Sequence, residues 1–249
     1  MNAFPASCVL RPASCVPGAT MADKLIDIEP ILTILHSMES EENRLGMSRF
    51  GINVDRALGI KVTDLRILAR RIEKDHDLAL QLWETGIHEA RLLATMIDDP
   101  SAVTDTQMEN WAADFNSWDV VDQACNNLFR RTPFAHTKAA DWAARDEEFV
   151  KRAGFALMAV LAVHDRSSED TVFHKYLDLV EGESSDERNF VKKAVNWALR
   201  QIGKRSPELW EKAMGTIGKI ADLDTKGARW IAADARRELS RIGDVRGWK

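Results

Sequence analysis

Val150-Lys-Arg-Ala-Gly-Phe155 is one of four stretches in this chain that read as the same helical segment. The others are Glu89-Ala-Arg-Leu-Leu-Ala94, Val191-Lys-Lys-Ala-Val-Asn196 and Lys226-Gly-Ala-Arg-Trp-Ile231. Arg152 and Lys193 lie 41 residues apart, and the Gly227 region follows about 34 residues later. Arg91 and Arg152 are separated by two such periods, with a helix over 118–129 between them. A period of ~30–45 residues in a helical chain means helix pairs stacked side by side as a solenoid. The period places a basic residue at one position of the recurring helix, so Arg91, Arg152 and Lys193 are expected on one surface. In the second unit that position holds Asp122, an acidic exception in a basic row.

Outward from these segments the pattern stays helical. Thr63-Asp-Leu-Arg-Ile-Leu-Ala-Arg-Arg-Ile72 puts Leu65, Leu68, Ala69 and Ile72 on one face, with Thr63 as N-cap. Breaks fall at Asp98-Asp-Pro100, Thr132-Pro133, 182–186, Ser206-Pro207 and 222–225, leaving short helices between them. One tyrosine and few β-branched runs leave almost no strand signal. The expected fold is all-α: a right-handed solenoid of antiparallel helix pairs with a concave basic face, in one domain spanning 21–249.

Residues 1–20 do not fit that domain. Pro5-Ala-Ser-Cys-Val9 repeats as Pro12-Ala-Ser-Cys-Val16, without the apolar core of a signal peptide, and a second methionine follows at Met21. This segment is expected to be a disordered extension or a mis-assigned start. Without it Cys125 is the only cysteine, which suits a reducing compartment. No apolar run nears the ~20 residues that span a bilayer. The run from Phe155 to Val163 is too short and sits between Arg152 and Asp165. A soluble, cytoplasmic protein is expected, associated with the nucleoid if the source is bacterial.

The formal net charge is −5, but it is unevenly spread. From Arg188 to Lys249 there are 15 Lys and Arg against 7 Asp and Glu, and the remainder has 19 against 32. A basic C-terminal third on an acidic body is the asymmetry of a protein that meets an anionic partner; a solvated helical face would look the same. The six histidines are scattered, no Cys/His spacing fits zinc, and no glycine-rich phosphate loop is present.

Two stretches carry candidate chemistry. In Asn116-Ser-Trp-Asp-Val-Val-Asp-Gln-Ala-Cys125, Trp118 and Asp122 are four apart and share a helix face, while Val120, Val121, Ala124 and Leu128 supply the packing. Asn116 or Ser117 is the expected cap. The sequence leaves a second reading open, in which Trp118 packs between repeats and Asp122 pairs with Arg152 or caps a neighbouring helix. In the stretch 189–205, Lys193, Trp197, Arg200 and Lys204 recur at spacings of four, three and four, a basic face with an indole set into it. Such a face suits phosphates and apolar sugar surfaces.

These stretches together resemble the AlkD-type DNA alkylation repair glycosylases, a family built from HEAT-like repeats. The resemblance rests on Trp118-Asp-Val-Val-Asp122, on Lys151-Arg152 before a small residue and an apolar helix, on Phe190-Val-Lys-Lys-Ala-Val-Asn-Trp-Ala-Leu-Arg200, and on the upstream Gly59-Ile-Lys-Val-Thr-Asp-Leu-Arg66. It covers Met47 to Leu239. It implies Asp122, Trp118 and Trp197 as catalytic residues around the lesion sugar, and Arg152 on the DNA backbone. Arg91, Lys193, Arg200 and Lys204 are expected to join Arg152 in binding. The implied activity is excision of cationic N3- or N7-alkylated purines from double-stranded DNA, in base excision repair, by a monomer with no cofactor, no metal and no base-flipping pocket. The family often carries a tyrosine near the N-terminal end of the site; the matching stretch here, Arg44-Leu-Gly-Met-Ser-Arg-Phe50, has none, and the chain's one tyrosine is Tyr176. Two rival functions remain: a non-catalytic reader of distorted or branched DNA, and a protein-interaction scaffold.

Overall fold

The computed structural model describes residues 27–248, so the expectation for residues 1–20 lies outside it. Among the described residues there are thirteen α-helices, one 3₁₀ turn and no strand. They are α1 (Ile28–Ser37), α2 (Glu41–Ser48), α3 (Val62–Ile72), α4 (His76–Glu84), α5 (His88–Ile97), α6 (Asp105–Ala113) and α7 (Trp118–Asn127). The 3₁₀ turn Phe129–Arg131 follows, then α8 (Ala135–Ala143), α9 (Glu148–His164), α10 (Asp170–Gly182), α11 (Asn189–Gly203), α12 (Pro207–Ala221) and α13 (Lys226–Arg246). Every predicted break falls at a junction between two of these elements, with Gly182 closing α10 and Pro207 opening α12.

One row runs α3, α5, α7, α9, α11, α13, each helix packed on the next. The alternate helices form a second row, with α4 against α5, α8 against α9, and α12 against α13. The second row is tied together by tryptophans. Trp83 of α4 stacks on Trp111 of α6 with ring centroids 3.9 Å apart, and Phe129 links Trp111 to Trp142 of α8. The four recurring segments recognised in the sequence lie on α5, α9, α11 and α13, all in the first row.

The first-row helices run parallel, because contacts join equivalent depths of neighbouring helices. Asp122, five residues into α7, meets Arg152, five residues into α9. Asn196 of α11 donates to Asp234 of α13 at 2.7 Å. α9 is the axis of the molecule and is buried along most of its length. Gly154 makes this possible: a Cβ there would lie 2.3 Å from the backbone nitrogen of Ala143 in α8. The small residues after Arg152 are therefore the contact point of two helix backbones.

A side chain caps the N-terminus of five of the thirteen described α-helices. Ser206 and Thr225 accept from the amides of Leu209 and Ala228, and Pro207 opens α12. Thr63 is a correction: α3 begins at Val62, Lys61 holds the cap position, and Thr63 lies in the first turn. The segment before α3 is fixed from below instead. Glu89 in the first turn of α5 is fully buried, and its carboxylate accepts from the amides of Leu58, Gly59 and Ile60 at 2.7, 2.7 and 3.2 Å. Gly59 has φ of +81°, and a Cβ would come within 2.2 Å of the Ser40 carbonyl oxygen. The glycine that opens the Gly59–Arg66 stretch is thus required by backbone geometry.

Candidate active site

The start of α7 projects Trp118 and Asp122 from the same face, as their spacing requires. Asp122 does not stand alone there. Arg152 grips it with two parallel hydrogen bonds, Nε to Oδ1 at 3.1 Å and Nη2 to Oδ2 at 2.8 Å. The third guanidinium nitrogen, Nη1, donates to the Phe190 carbonyl oxygen at the start of α11, at 2.7 Å. One side chain therefore ties α7, α9 and α11 together. The pairing that the sequence left open for Asp122 is the one the structure shows, and Arg152, expected on the DNA backbone, is engaged on three sides within the protein.

The Arg152 side chain is 7% exposed and that of Asp122 21%. The guanidinium is the more deeply placed partner, and the carboxylate retains an open side. Burial raises the Asp122 carboxyl above its ordinary value, against the pull of the Arg152 charge and hydrogen bonds. Trp118 flanks the pair: the Arg152 guanidinium carbon lies 5.6 Å from its ring centroid. The indole nitrogen donates to the Phe50 carbonyl oxygen at 3.1 Å, which fixes the ring against the segment after α2. Phe50 itself is 74% exposed beside it, within the stretch where the family's tyrosine is absent.

A second carboxylate on α7 supports this corner. Asp119 pairs with His88 of α5 at 2.9 Å and accepts from the Ser117 hydroxyl at 2.6 Å. Burial works to raise its carboxyl, but the His88 and Ser117 contacts outweigh burial and hold it low. Ser117 occupies the cap position, as expected, but its hydroxyl is spent on Asp119 rather than on the helix amides. His88 and Asp119 border a cleft of about 620 Å³ that is also walled by Met47, Phe50, Lys61 and Leu92. Cys125, one turn beyond Asp122 on α7, is fully buried against Ala153 of α9, and burial pushes its thiol well above the usual range, which removes it as a nucleophile.

The remaining predicted residues do not converge on this pair. Trp197 lies seven residues beyond Phe190 on α11, about 10 Å along the axis. It is half-buried against the core and makes no hydrogen bond or ring contact with Trp118, Asp122 or Arg152 among the described residues. Arg91 stacks over Trp83 at 5.0 Å and pairs with Asp114. Arg200 and Lys204 share Glu238 of α13. Lys193 is exposed and has no ion-pair partner among the described residues. The basic row is present, but most of it is neutralised at home. Among the described residues no cluster of His, Cys, Asp and Glu could hold a metal, and no helix is long and apolar enough to cross a membrane.

The family model for DNA alkylation repair enzymes matches residues 31–239. The chain belongs to the DNA alkylation repair enzyme family. The match spans α1 to most of α13, so it covers both rows of helices. Among its relatives, the uncharacterized protein Lmo0209 of Listeria monocytogenes is 23% identical over 168 residues, covering 65% of this chain and 73% of the relative. The uncharacterized protein Lin0241 of Listeria innocua is 22% identical over 168 residues, with the same coverage. A solved structure superposes with a TM-score of 0.74 at 19% identity, over 86% of this chain and 94% of the other. It comes from a family of proteins related to the HEAT-like repeat DNA glycosylases with affinity for branched DNA structures. The likeness shows that this chain has the HEAT-like repeat fold.

Sequence reasoning missed three members of the site. The Phe50 carbonyl that holds Trp118 leaves no residue-type signal. The His88–Asp119 pair is 31 residues apart, one repeat, and that periodicity could have suggested it. Glu89 was visible as a carboxylate inside an apolar helix face, the kind of residue that is buried only when its oxygens are satisfied.

Proposed function

We propose that this protein is a DNA glycosylase that excises cationic N3- and N7-alkylated purines from duplex DNA. The observation that carries the reading is the Asp122 carboxylate, held in a bidentate grip by Arg152, beside the Trp118 indole, with one side open. An alkylated purine is already cationic, so its glycosidic bond breaks without a proton donor. The sugar left behind develops oxocarbenium character. A carboxylate aimed in advance stabilises that charge without reorganising at the moment of reaction. The same oxygen accepts a proton from the attacking water, which forms the new C1′–O bond as the neutral base departs. Trp118 adds an indole face to a cationic centre. Arg152 acts as the positioning residue: it sets the carboxylate's orientation and keeps part of it charged within a half-buried corner. Trp197 is assigned to the far wall of the same site, where the sugar or its neighbour would lie along α11.

The test pairs activity with stability on one sample of Asp122→Asn. Excision of 7-methylguanine from methylated duplex is expected to fall by roughly 10²–10³-fold. The melting temperature should also drop, because the substitution halves the grip of Arg152. Duplex binding should persist. Full excision by a folded Asp122→Asn protein would remove Asp122 from the chemistry.

A second reading has an observation of its own. Arg152 neutralises Asp122, and the structural relative belongs to proteins with affinity for branched DNA structures. A non-catalytic binder would release no alkylpurine even as wild type, and would bind a four-way junction more tightly than a linear duplex of the same length. Measuring both quantities on the wild-type protein separates the two readings.

A further inference from the structure

The cations expected to bind DNA are mostly paired, and the unpaired ones gather elsewhere. Arg66 and Arg70 lie one turn apart on α3, and Lys74 follows just beyond its C-terminus. With Arg131, Asn127 and Met96 they line a single cleft of about 270 Å³. Arg66, Arg70 and Arg131 are exposed, and none has a carboxylate partner among the described residues.

The cleft lies where the C-terminal ends of the first-row helices meet. Lys74 donates to the carbonyl oxygens of Met96 and Asp98 at the end of α5, at 3.0 and 2.5 Å. Asn127, the last residue of α7, donates to Thr95 in the last turn of α5 at 3.1 Å. Helix C-termini attract cations, and Lys74 satisfies that attraction directly. The three arginines do not; they stand off the carbonyls and face solvent. The crowding of like charge is felt inside the cluster. Burial lowers the Lys74 ammonium and Arg131 lowers it further, against Asp98 and Asp99. The strip continues past α9, where His164 is lowered by burial and then by Arg130, Arg131 and Arg166.

Length identifies the partner. Neighbouring helices sit ~8–10 Å apart. A cationic strip from α3 across α5 and α7 to the end of α9 therefore extends roughly 25–30 Å, set by that spacing. A single phosphate or nucleotide would occupy one end of it. A polymer with regularly spaced phosphates would occupy all of it.

We propose that the C-terminal edge of the first row, from Arg66 and Arg70 through Arg131, is the principal phosphate track for one strand of duplex DNA. It complements the site of Asp122, which lies in the N-terminal half of α7. The inference rests on the reading that the protein acts on duplex DNA, and not on its being a glycosylase.

The test uses the full chain and an undamaged duplex of about 20 base pairs, titrated by fluorescence anisotropy across about 50–200 mM salt. The log–log salt slope changes by about 0.9 for each phosphate contact, so the triple variant Arg66→Ala/Arg70→Ala/Arg131→Ala should flatten it by about 2–3. Affinity at mid-range salt should weaken at least about tenfold on the same counterion-release ground. Arginine-to-lysine substitution at the same three positions keeps the charge and should keep the slope. The pair Lys212→Ala/Lys219→Ala on second-row α12 should leave both quantities unchanged. Arg66→Glu and Arg131→Glu, taken singly, provide the same reading should the triple variant fold poorly. A slope and affinity equal to wild type in folded edge variants would overturn the proposal. Wild-type protein that binds with a steep slope yet releases no 7-methylguanine would leave the edge standing and remove the glycosylase reading.

Discussion

Two carboxylates on the first-row helices each hold arginine, and the molecule treats them differently. At Asp122 one guanidinium meets both oxygens, and that guanidinium is 7% exposed. At Glu238 one carboxylate is divided between Arg200 and Lys204, and all three side chains are between 22% and 27% exposed. The two carboxylates are similarly exposed, but the cations on Glu238 reach solvent while Arg152 barely does, and ion pairs open to water are worth less and are screened by salt. The Asp122 pair is partly withdrawn from solvent, where geometry is fixed and each charge depends on the other. A row of basic residues in sequence therefore conceals two populations: those that hold the site in shape and those that adjust the surface potential.

Removing one partner should expose this difference most strongly at Arg152. Arg152→Ala leaves a half-buried carboxylate without its counter-charge and frees the Phe190 carbonyl. We expect a loss of about 3–5 kcal/mol in chemical denaturation. A loss no greater than that of Glu238→Ala would erase the distinction.

The approach of α9 to α8 places Arg152, so the next effect comes from Gly154. A Cβ at that position meets backbone rather than a yielding side chain. Gly154→Ala should cost about 1–3 kcal/mol by overpacking. It should also lower excision, because α9 must shift with its arginine. An unperturbed melting temperature would show that the two helices have room to part.

The ionisation of Asp122 gives a further distinction, through pH. Its folded-state carboxyl is raised by burial, so the charged form needed for catalysis appears late as pH rises. Excision above the Asp122→Asn background should climb with its half-point above about 3.9, the ordinary aspartate value. By itself this group makes the fold less stable as pH rises through the same window, since the folded state binds the proton more tightly. A half-point at or below the ordinary value would mean that Arg152 dominates burial.

The smallest effect belongs to Glu238. Glu238→Ala should change stability by about 1 kcal/mol or less. It should tighten duplex binding at low salt by freeing Arg200 and Lys204, with the gain vanishing at high salt. Affinity that does not change would indicate that these two cations do not face the duplex.

Much of this was legible beforehand because helical spacing is local physics. Leu65, Leu68 and Ile72 recur with the helical period, and all three are buried. Trp118 and Asp122 share a face for the same reason. The recurring segment found the first row of helices, since each copy repeats the same packing problem. What the sequence did not reveal is which cations are neutralised, because Arg200 meets Glu238 only after 38 residues of chain have folded back. The Phe50 carbonyl under Trp118 is a backbone atom, and backbone atoms have no letter. Arg66 and Arg70 lie on the exposed side of α3, away from the face of Leu65, Leu68 and Ile72. Their lack of partners depends on where the carboxylates at the end of α5 turn, Asp98 to His76 and Gln107 and Asp99 to Ser101.

Stacked repeats ordinarily touch only their neighbours, so such a molecule can peel from an end one unit at a time. Arg152, on α9, works within that rule but fastens both neighbours, α7 and α11, with a single head group. Mechanically it is a rivet through three plates. Pulled from its termini, the chain should part at the flanks first and hold longest at this joint. A phosphate that claimed Arg152 would have to draw the rivet, so taking up that ligand and loosening the middle of the stack would be one event.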